Sequence, residues 1–198
     1  MVNRLAAIAL FATLALALPG GVRAQTGSDP WFRYSTKPKD FQAPKLPWNT
    51  FSIELPKNWQ LVPGFDGVLL IAVEKTRNNQ ATAAVVLEQR LLLEPIATGD
   101  VDDFLGKLEA EYARARDSAG QNFEQSIKQA GAQRFVFIQY TRPAQSGGTD
   151  RVVMYAIPAG RIMYRLICIA PADQLAAKYQ ETFAHVAASF KRMGANSD

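Results

Sequence analysis

The sequence contains one cysteine and one histidine in 198 residues. A single cysteine excludes an intramolecular disulfide and a zinc site built from several thiolates, and a single histidine excludes a metal site built from a histidine cluster. A Gly-x-Ser-x-Gly elbow and a glycine-rich phosphate loop are also absent from the sequence. The residues that most common enzyme chemistries require are scarce, so the sequence predicts a protein that is not an enzyme and has no metal or cofactor.

Long hydrophobic runs are also rare, and the one that stands out lies at the N-terminus. Leu5 to Leu18 is apolar or small, Arg4 precedes it, and Val22-Arg23-Ala24 offers small residues to a signal peptidase. This pattern predicts a signal peptide over residues 1–24, cleaved after Ala24, and hence a periplasmic or secreted protein. The run is shorter than the roughly 20 residues that span a bilayer. We therefore expect no membrane span after cleavage, the alternative being an uncleaved N-terminal anchor.

The net charge of the chain is small. The formal net charge is +4, from 22 basic and 18 acidic residues. The signal carries two of the basic residues and no acidic one, so the mature chain is left with a charge of +2. Lysine and arginine are not clustered densely enough to indicate a nucleic-acid surface. We expect no nucleic-acid partner.

Residues 25–49 are rich in proline and aromatic residues and are predicted to form an N-terminal arm that precedes the domain. Four prolines disfavour a regular helix or a central strand there. The segment is nevertheless rich in aromatic residues interleaved with basic ones, which a disordered linker would lack. Two interpretations remain open: the rings pack back onto the domain, or the arm binds a partner. The aromatic candidates for partner binding are Trp31, Phe32, Tyr34 and Trp48.

Residues 50–193 are predicted to form one domain, followed by a tail over 194–198. Period-two alternation and short apolar runs between turn residues indicate strands at 51–55, 67–73, 82–93, 123–129, 133–142, 150–157 and 161–170. Pro158-Ala159-Gly160 is expected to join the last two as a hairpin. Apolar residues at helical spacing predict helices from Val101 to Ala115 and from Leu175 to Phe190, closed by Gly120 and Gly194 respectively. The order β-β-β-α-β-β-β-β-α predicts an α+β domain with a central antiparallel sheet of six to seven strands and helices packed on it.

This order of elements, together with certain local residues, resembles the PsbP-like fold family. The matching features are the opening strand Phe51-Ser52-Ile53-Glu54-Leu55-Pro56 followed by Trp59, and the closing helix with Tyr179, Phe183, Val186, Ser189 and Phe190. The resemblance covers about residues 51–191. It implies binding or accessory proteins rather than enzymes, some acting on a larger protein partner and some bacterial members on a lipid or other apolar molecule.

Three features could carry chemistry, and each has a simpler structural explanation. His185 flanks the apolar stripe of the last helix, and Cys168 lies on an apolar strand face, where a buried thiol behaves as a small hydrophobe. Asp100, Asp102 and Asp103 lack the spacing of a calcium loop and are suited to capping a helix. All three features are expected to be structural.

A basic patch near the last hairpin is the second candidate for partner binding. Arg161 and Arg165 share one face of a strand, and Arg151 lies on the preceding strand. The alternative is an ordinary solvated or ion-paired sheet face. We therefore expect a non-catalytic exported accessory protein that docks onto a protein partner in the bacterial periplasm. The alternative is a cell-envelope protein that binds a lipid or another apolar ligand, in a cavity lined by residues such as Phe135, Phe137 and Tyr164.

Overall fold

The structure is a computed structural model, and it describes residues 30–35, 51–62, 67–74, 82–96, 101–106, 108, 122–130, 133–144 and 147–192. The strands of this part of the chain are β1 (Trp31–Ser35), β2 (Phe51–Pro56), β3 (Trp59–Val62), β4 (Val68–Glu74), β5 (Ala84–Ile96), β6 (Glu124–Ala130), β7 (Gln133–Pro143), β8 (Thr149–Pro171) and β9 (Lys191–Arg192). Helix α1 is described at residues 101–106 and 108. Helix α2 begins as a π-helical turn, Leu175–Tyr179, and continues as an α-helix over Gln180–Ser189. The signal segment and the tail after residue 192 lie outside the described residues.

The strands form two antiparallel sheets. The large sheet has the order β3-β4-β5-β8-β7-β6 and the small sheet the order β1-β2-β9. The predicted α+β class, with an antiparallel central sheet and helices packed on it, is confirmed. One detail differs, because β2 was expected in the central sheet and instead pairs with the arm strand β1 and the C-terminal strand β9.

Strand β8 folds back on itself, as the predicted hairpin requires. A straight strand of this length would separate its ends by about 70 Å, yet the backbone N–H of Ala172 donates to the carbonyl oxygen of Thr149 at 2.9 Å. The turn falls at Gly160, whose φ of 69° is in the left-handed region. The first arm of β8 pairs with β7 and the second with β5, so the large sheet has seven strand positions.

Side chains cover the large sheet on both faces. On one face, Leu166 and Cys168 pack with Phe183 and Val186 of α2 and with Ile53 of β2. On the other face, Val136 and Met163 pack with Phe104 and Leu108 of α1. The run Phe135–Ile138 is buried throughout, as its two apolar faces predicted. Each fully buried side chain of this size contributes about 1.5–3 kcal/mol, so this packing fixes where the helices sit.

A carboxylate of the large sheet fixes the first turn of α2. Glu74, at the end of β4, accepts hydrogen bonds from Thr82 and from Tyr179 Oη at 2.6 Å, and pairs with Lys178 Nζ at 2.9 Å. Burial acts to raise the pKa of Glu74, but these three partners together lower it below its usual value of 4.5. This carboxylate therefore stabilises the fold at neutral pH, and the stabilisation is lost as the pH falls through the lowered pKa.

The end of α2 differs from the sequence-based expectation, whereas its start at Leu175 agrees with it. The helix ends at Ser189, because Phe190 adopts an extended conformation with ψ of 127° and leads into β9. The helix thus ends before Gly194, the residue expected to close it, which lies outside the described residues. Of the predicted helix 101–115, only residues 101–106 and 108 are described, and no described helix is long and apolar enough to cross a membrane.

The Gly160 turn can be tested with a pair of alanine substitutions. Gly160→Ala places a side chain at positive φ and should destabilise the domain by about 1–2 kcal/mol. Gly106→Ala, on helix α1 where an added Cβ meets nothing within 4 Å, should stabilise it by about 0.5–1 kcal/mol. Urea unfolding midpoints measure both, and equal effects of the two substitutions would contradict the assigned turn.

Candidate functional site

A polar groove lies where the small sheet meets the second half of α2. Register places Arg33 opposite Glu54 and Ser52 opposite Lys191, and alternation points these four side chains to the same face of the small sheet. Helix α2 closes the side of the groove. The groove has a volume of about 220 Å³ and is lined by Arg33, Ser52, Glu54, His185, Ala188, Ser189 and Lys191. We call this site the arm–helix groove.

Glu54 is the electrostatic centre of the arm–helix groove. Arg33 Nη2 donates to Glu54 Oε1 at 2.6 Å, and His185 Nε2 lies 3.0 Å from Glu54 Oε2. The hydrogen bond from Arg33 is the main cause that lowers the pKa of Glu54, against a smaller opposing effect of burial, and the bond with His185 acts in the same direction. Glu54 is therefore ionised at neutral pH and joins the arm strand β1 to helix α2.

The indole of Trp31 stacks on the imidazole of His185. The ring centroids are 3.8 Å apart and the planes are inclined by 14°. Trp31 and Arg33 lie on the same face of β1, so the arm contacts α2 through a stacked ring and through the carboxylate of Glu54. The His185 side chain keeps 38% of its surface exposed, so solvent and solutes can reach it from the groove.

Ser189 joins β2 to the last turn of α2 through two hydrogen bonds. Its hydroxyl donates to the carbonyl oxygen of Val186 and accepts from the backbone N–H of Glu54, both at 2.9 Å. The proton of this hydroxyl is therefore already engaged with backbone. Ser189 holds the groove together and is not poised as a nucleophile for His185.

The described part of the arm packs onto the domain. Trp31, Phe32 and Tyr34 are half-buried and contact the core cluster on the α2 side of the large sheet. Tyr34 also begins a series of ring contacts that runs through Phe51 and Phe190 to Tyr164 in β8. Packing back is thus observed for this part of the arm. Trp48, the remaining aromatic candidate, lies outside the described residues.

The three arginines of the expected basic patch are not brought together. Arg165 is buried and forms an ion pair with Glu88 of β5. Arg161 is exposed beside the Gly160 turn, whereas Arg151 lies near the opposite end of the hairpin and donates to the carbonyl oxygen of Asn122 at 3.3 Å. Arg151 also shares the face of Val153 and Tyr155, which is the α2 face of the large sheet. Arg161 and Arg165 alternate with Ile162 and Tyr164 of that face and so lie on the opposite one. A single exposed patch of these residues is therefore not what the structure contains.

The remaining candidates of the sequence are the cysteine and the three aspartates. Cys168 is buried, and burial raises the pKa of its thiol well above the usual value. Asp102 forms an exposed ion pair with Arg134 at 3.1 Å. Asp103 is also exposed, and Asp100 lies outside the described residues.

Arg33, Glu54 and Lys191 were not predicted as members of one site. Each comes from a different strand of the small sheet. The sequence did offer one clue, the position of the only histidine beside the buried stripe of a helix. It does not indicate which carboxylate faces that histidine.

No protein-family model matches this sequence. No curated protein matches it either. Among solved structures, cyanobacterial PsbP (CyanoP) from Synechocystis sp. PCC 6803 aligns with a TM-score of 0.53 and 12% identity, over 87% of this chain and 98% of that one. LpqN from Mycobacterium tuberculosis aligns with a TM-score of 0.49 and 14% identity, over 84% of this chain and 93% of that one.

A protein from Bacteroides thetaiotaomicron VPI-5482 aligns with a TM-score of 0.50 and 12% identity, over 73% of this chain. This chain spans only 45% of the length of that protein. The match to cyanobacterial PsbP runs nearly end to end, and with it the resemblance noted in the sequence is confirmed at the level of the fold. The chain has a PsbP-like fold, and at these identities the similarity concerns the fold alone.

A double-mutant cycle can measure the contact between the arm and α2. Trp31→Ala and His185→Ala should each destabilise the protein, and their coupling should be about 0.5–1.5 kcal/mol, as found for stacked rings. Unfolding midpoints in urea provide the measurement. The matched control pairs Trp31→Ala with Arg134→Ala on β7, where we expect additivity. Additive effects of Trp31→Ala and His185→Ala would show that the two rings do not interact in solution.

Proposed function

We propose that this chain is a non-catalytic exported binding protein that docks onto a protein partner in the bacterial periplasm through the arm–helix groove. The geometry of β1 is the main support for this role. Its Trp31 is fixed on His185, while the side chain of Arg33 keeps 65% of its surface exposed at the mouth of the groove. A rigid backbone that presents exposed polar side chains costs little conformational entropy when it binds.

The hydrogen bonds of the groove favour binding over catalysis. A histidine beside a glutamate is two thirds of a nucleophilic triad, but the third member must hydrogen-bond to the histidine. Ser189 is engaged with backbone, and Ser52 has no hydrogen bond to His185. Ser126, on the edge strand β6, has Glu124 as its partner at 3.5 Å. None of these hydroxyls is activated by His185.

The aromatic side chains expected around an apolar ligand instead contact one another. Tyr155 packs edge-on against Phe135 and Phe137, with centroid distances of 5.0 and 5.6 Å, and Tyr164 packs against Phe190 at 5.2 Å. Rings in such contact fill the volume that an apolar ligand would need. Docking of a protein is therefore the better-supported proposal, and binding of a lipid or other apolar ligand is the weaker alternative.

Site-specific photo-crosslinking in the native host tests the docking face. A photoreactive phenylalanine derivative replaces Ser35, Ala188, Arg161 or Arg134 in the full-length chain, so export proceeds as usual. Ser35 and Ala188 are exposed beside the groove, and their replacement leaves Arg33 and Lys191 in place. Positions 35 and 188 should give the same discrete adduct after irradiation, whereas position 134, exposed on the large sheet, should give none. An adduct from position 161 in the absence of one from positions 35 and 188 would place docking at the β8 hairpin and contradict the proposal.

A further inference from the structure

The arm–helix groove has more positive than negative charge. Arg33 and Lys191 face one acidic side chain, Glu54. The charge of Glu54 is already matched by Arg33, and its other oxygen is bonded to His185. Lys191 is exposed and has no ion-pair partner among the described residues. One positive charge in the groove is therefore left for a ligand to neutralise.

The groove also offers hydrogen-bond donors that no described residue uses. Only one nitrogen of Arg33, Nη2, is bonded to Glu54, and a guanidinium carries five N–H donors in a planar fork that matches a carboxylate. Ser52 forms the floor; it is 93% buried, since its relative exposure is 7%, and its hydroxyl has no hydrogen-bond partner within the described part of the chain. Guanidinium, hydroxyl and ammonium donors thus surround a single small space.

Size and charge limit what the groove can accept. Its volume of about 220 Å³ is below the range of pockets for drug-sized ligands, about 300–1,000 Å³, and suits one side chain or a chain terminus. Glu54 is a fixed negative charge in the same groove, so it repels a dianion more strongly than a monoanion. The methyl group of Ala188 supplies an apolar wall for the carbon atoms next to an acidic group.

We propose that the arm–helix groove binds a single carboxylate of a protein partner, held between Arg33 and Lys191 over the Ser52 hydroxyl. This inference rests on the docking role proposed above and assigns the chemistry of the group that docks. The partner segment is acidic, and a monoanionic carboxylate is preferred over a phosphate. Strands β1 and β9 flank β2 and so place the two basic side chains on opposite sides of that strand.

Peptide titration followed by NMR tests this inference directly. The probes are N-acetyl-Gly-Glu-Gly-amide and its glutamine counterpart, added to the ¹⁵N-labelled mature chain at constant ionic strength. The glutamate peptide should shift the Ser52 and Lys191 amides saturably, with an affinity at least ten-fold higher than that of the glutamine peptide. Equal affinity for the two peptides would overturn the inference.

Variants and a competitor locate the bound carboxylate. Lys191→Gln should weaken binding of the glutamate peptide at least five-fold, whereas Arg134→Gln, which removes an exposed arginine on β7, should leave it unchanged. Acetate should displace the peptide at a lower concentration than inorganic phosphate does. An unchanged affinity of Lys191→Gln, or displacement by phosphate at the lower concentration, would contradict the assignment.

The peptide experiment and the crosslinking experiment fail separately. Crosslinks from positions 35 and 188 without a preference for the glutamate peptide would contradict the carboxylate assignment and leave the docking role standing. A clear preference for the glutamate peptide without crosslinks from either position would contradict docking of a protein partner at this groove.

Discussion

Helix α2 packs between the two sheets and holds them together. Its buried stripe of Tyr179, Phe183 and Val186, extended by Phe190 just after the helix, contacts β8 on one side and β2 on the other. Apolar burial contributes most of the energy and sets the position of the helix. Two carboxylates set its rotation: Glu74 from the large sheet contacts Tyr179 in the first turn, and Glu54 from the small sheet contacts His185 in the second half of the helix. That rotation is what presents His185 to the arm.

The position of α2 determines which side chains meet on the small sheet. Strand β2 has β1 on one side and the two-residue strand β9 on the other, so residues distant in the sequence meet on one face. Because β9 follows α2 after a single extended residue, the end of the helix determines where Lys191 lies. The groove therefore depends on where α2 ends. Its charged residues belong to strands and a helix whose positions are set by core packing.

Much of the architecture could be predicted from the sequence, because it depends on local patterns. Period-two alternation and short apolar runs identified β4, β5, β6 and β7, and Gly160 marked the turn of β8. The pairing of β1 with β2 was not predictable in this way, since it joins segments separated by a proline-containing stretch and depends on contacts with α2. The same holds for Glu54, which in sequence is only the polar residue of an alternating strand. Its role arises from Arg33 across the sheet and His185 across the helix interface.

Residues 31–35 of the arm form a strand that β2 and α2 hold on the domain, and the groove depends on this strand. Amide hydrogen exchange of the mature chain in its native state measures this pairing. A paired strand should show protection of alternate β1 amides, those directed toward β2, by at least a hundred-fold over an unfolded chain. Exchange of every amide from Trp31 to Ser35 at the rate of an unfolded chain, with β2 and α2 still protected, would contradict the account.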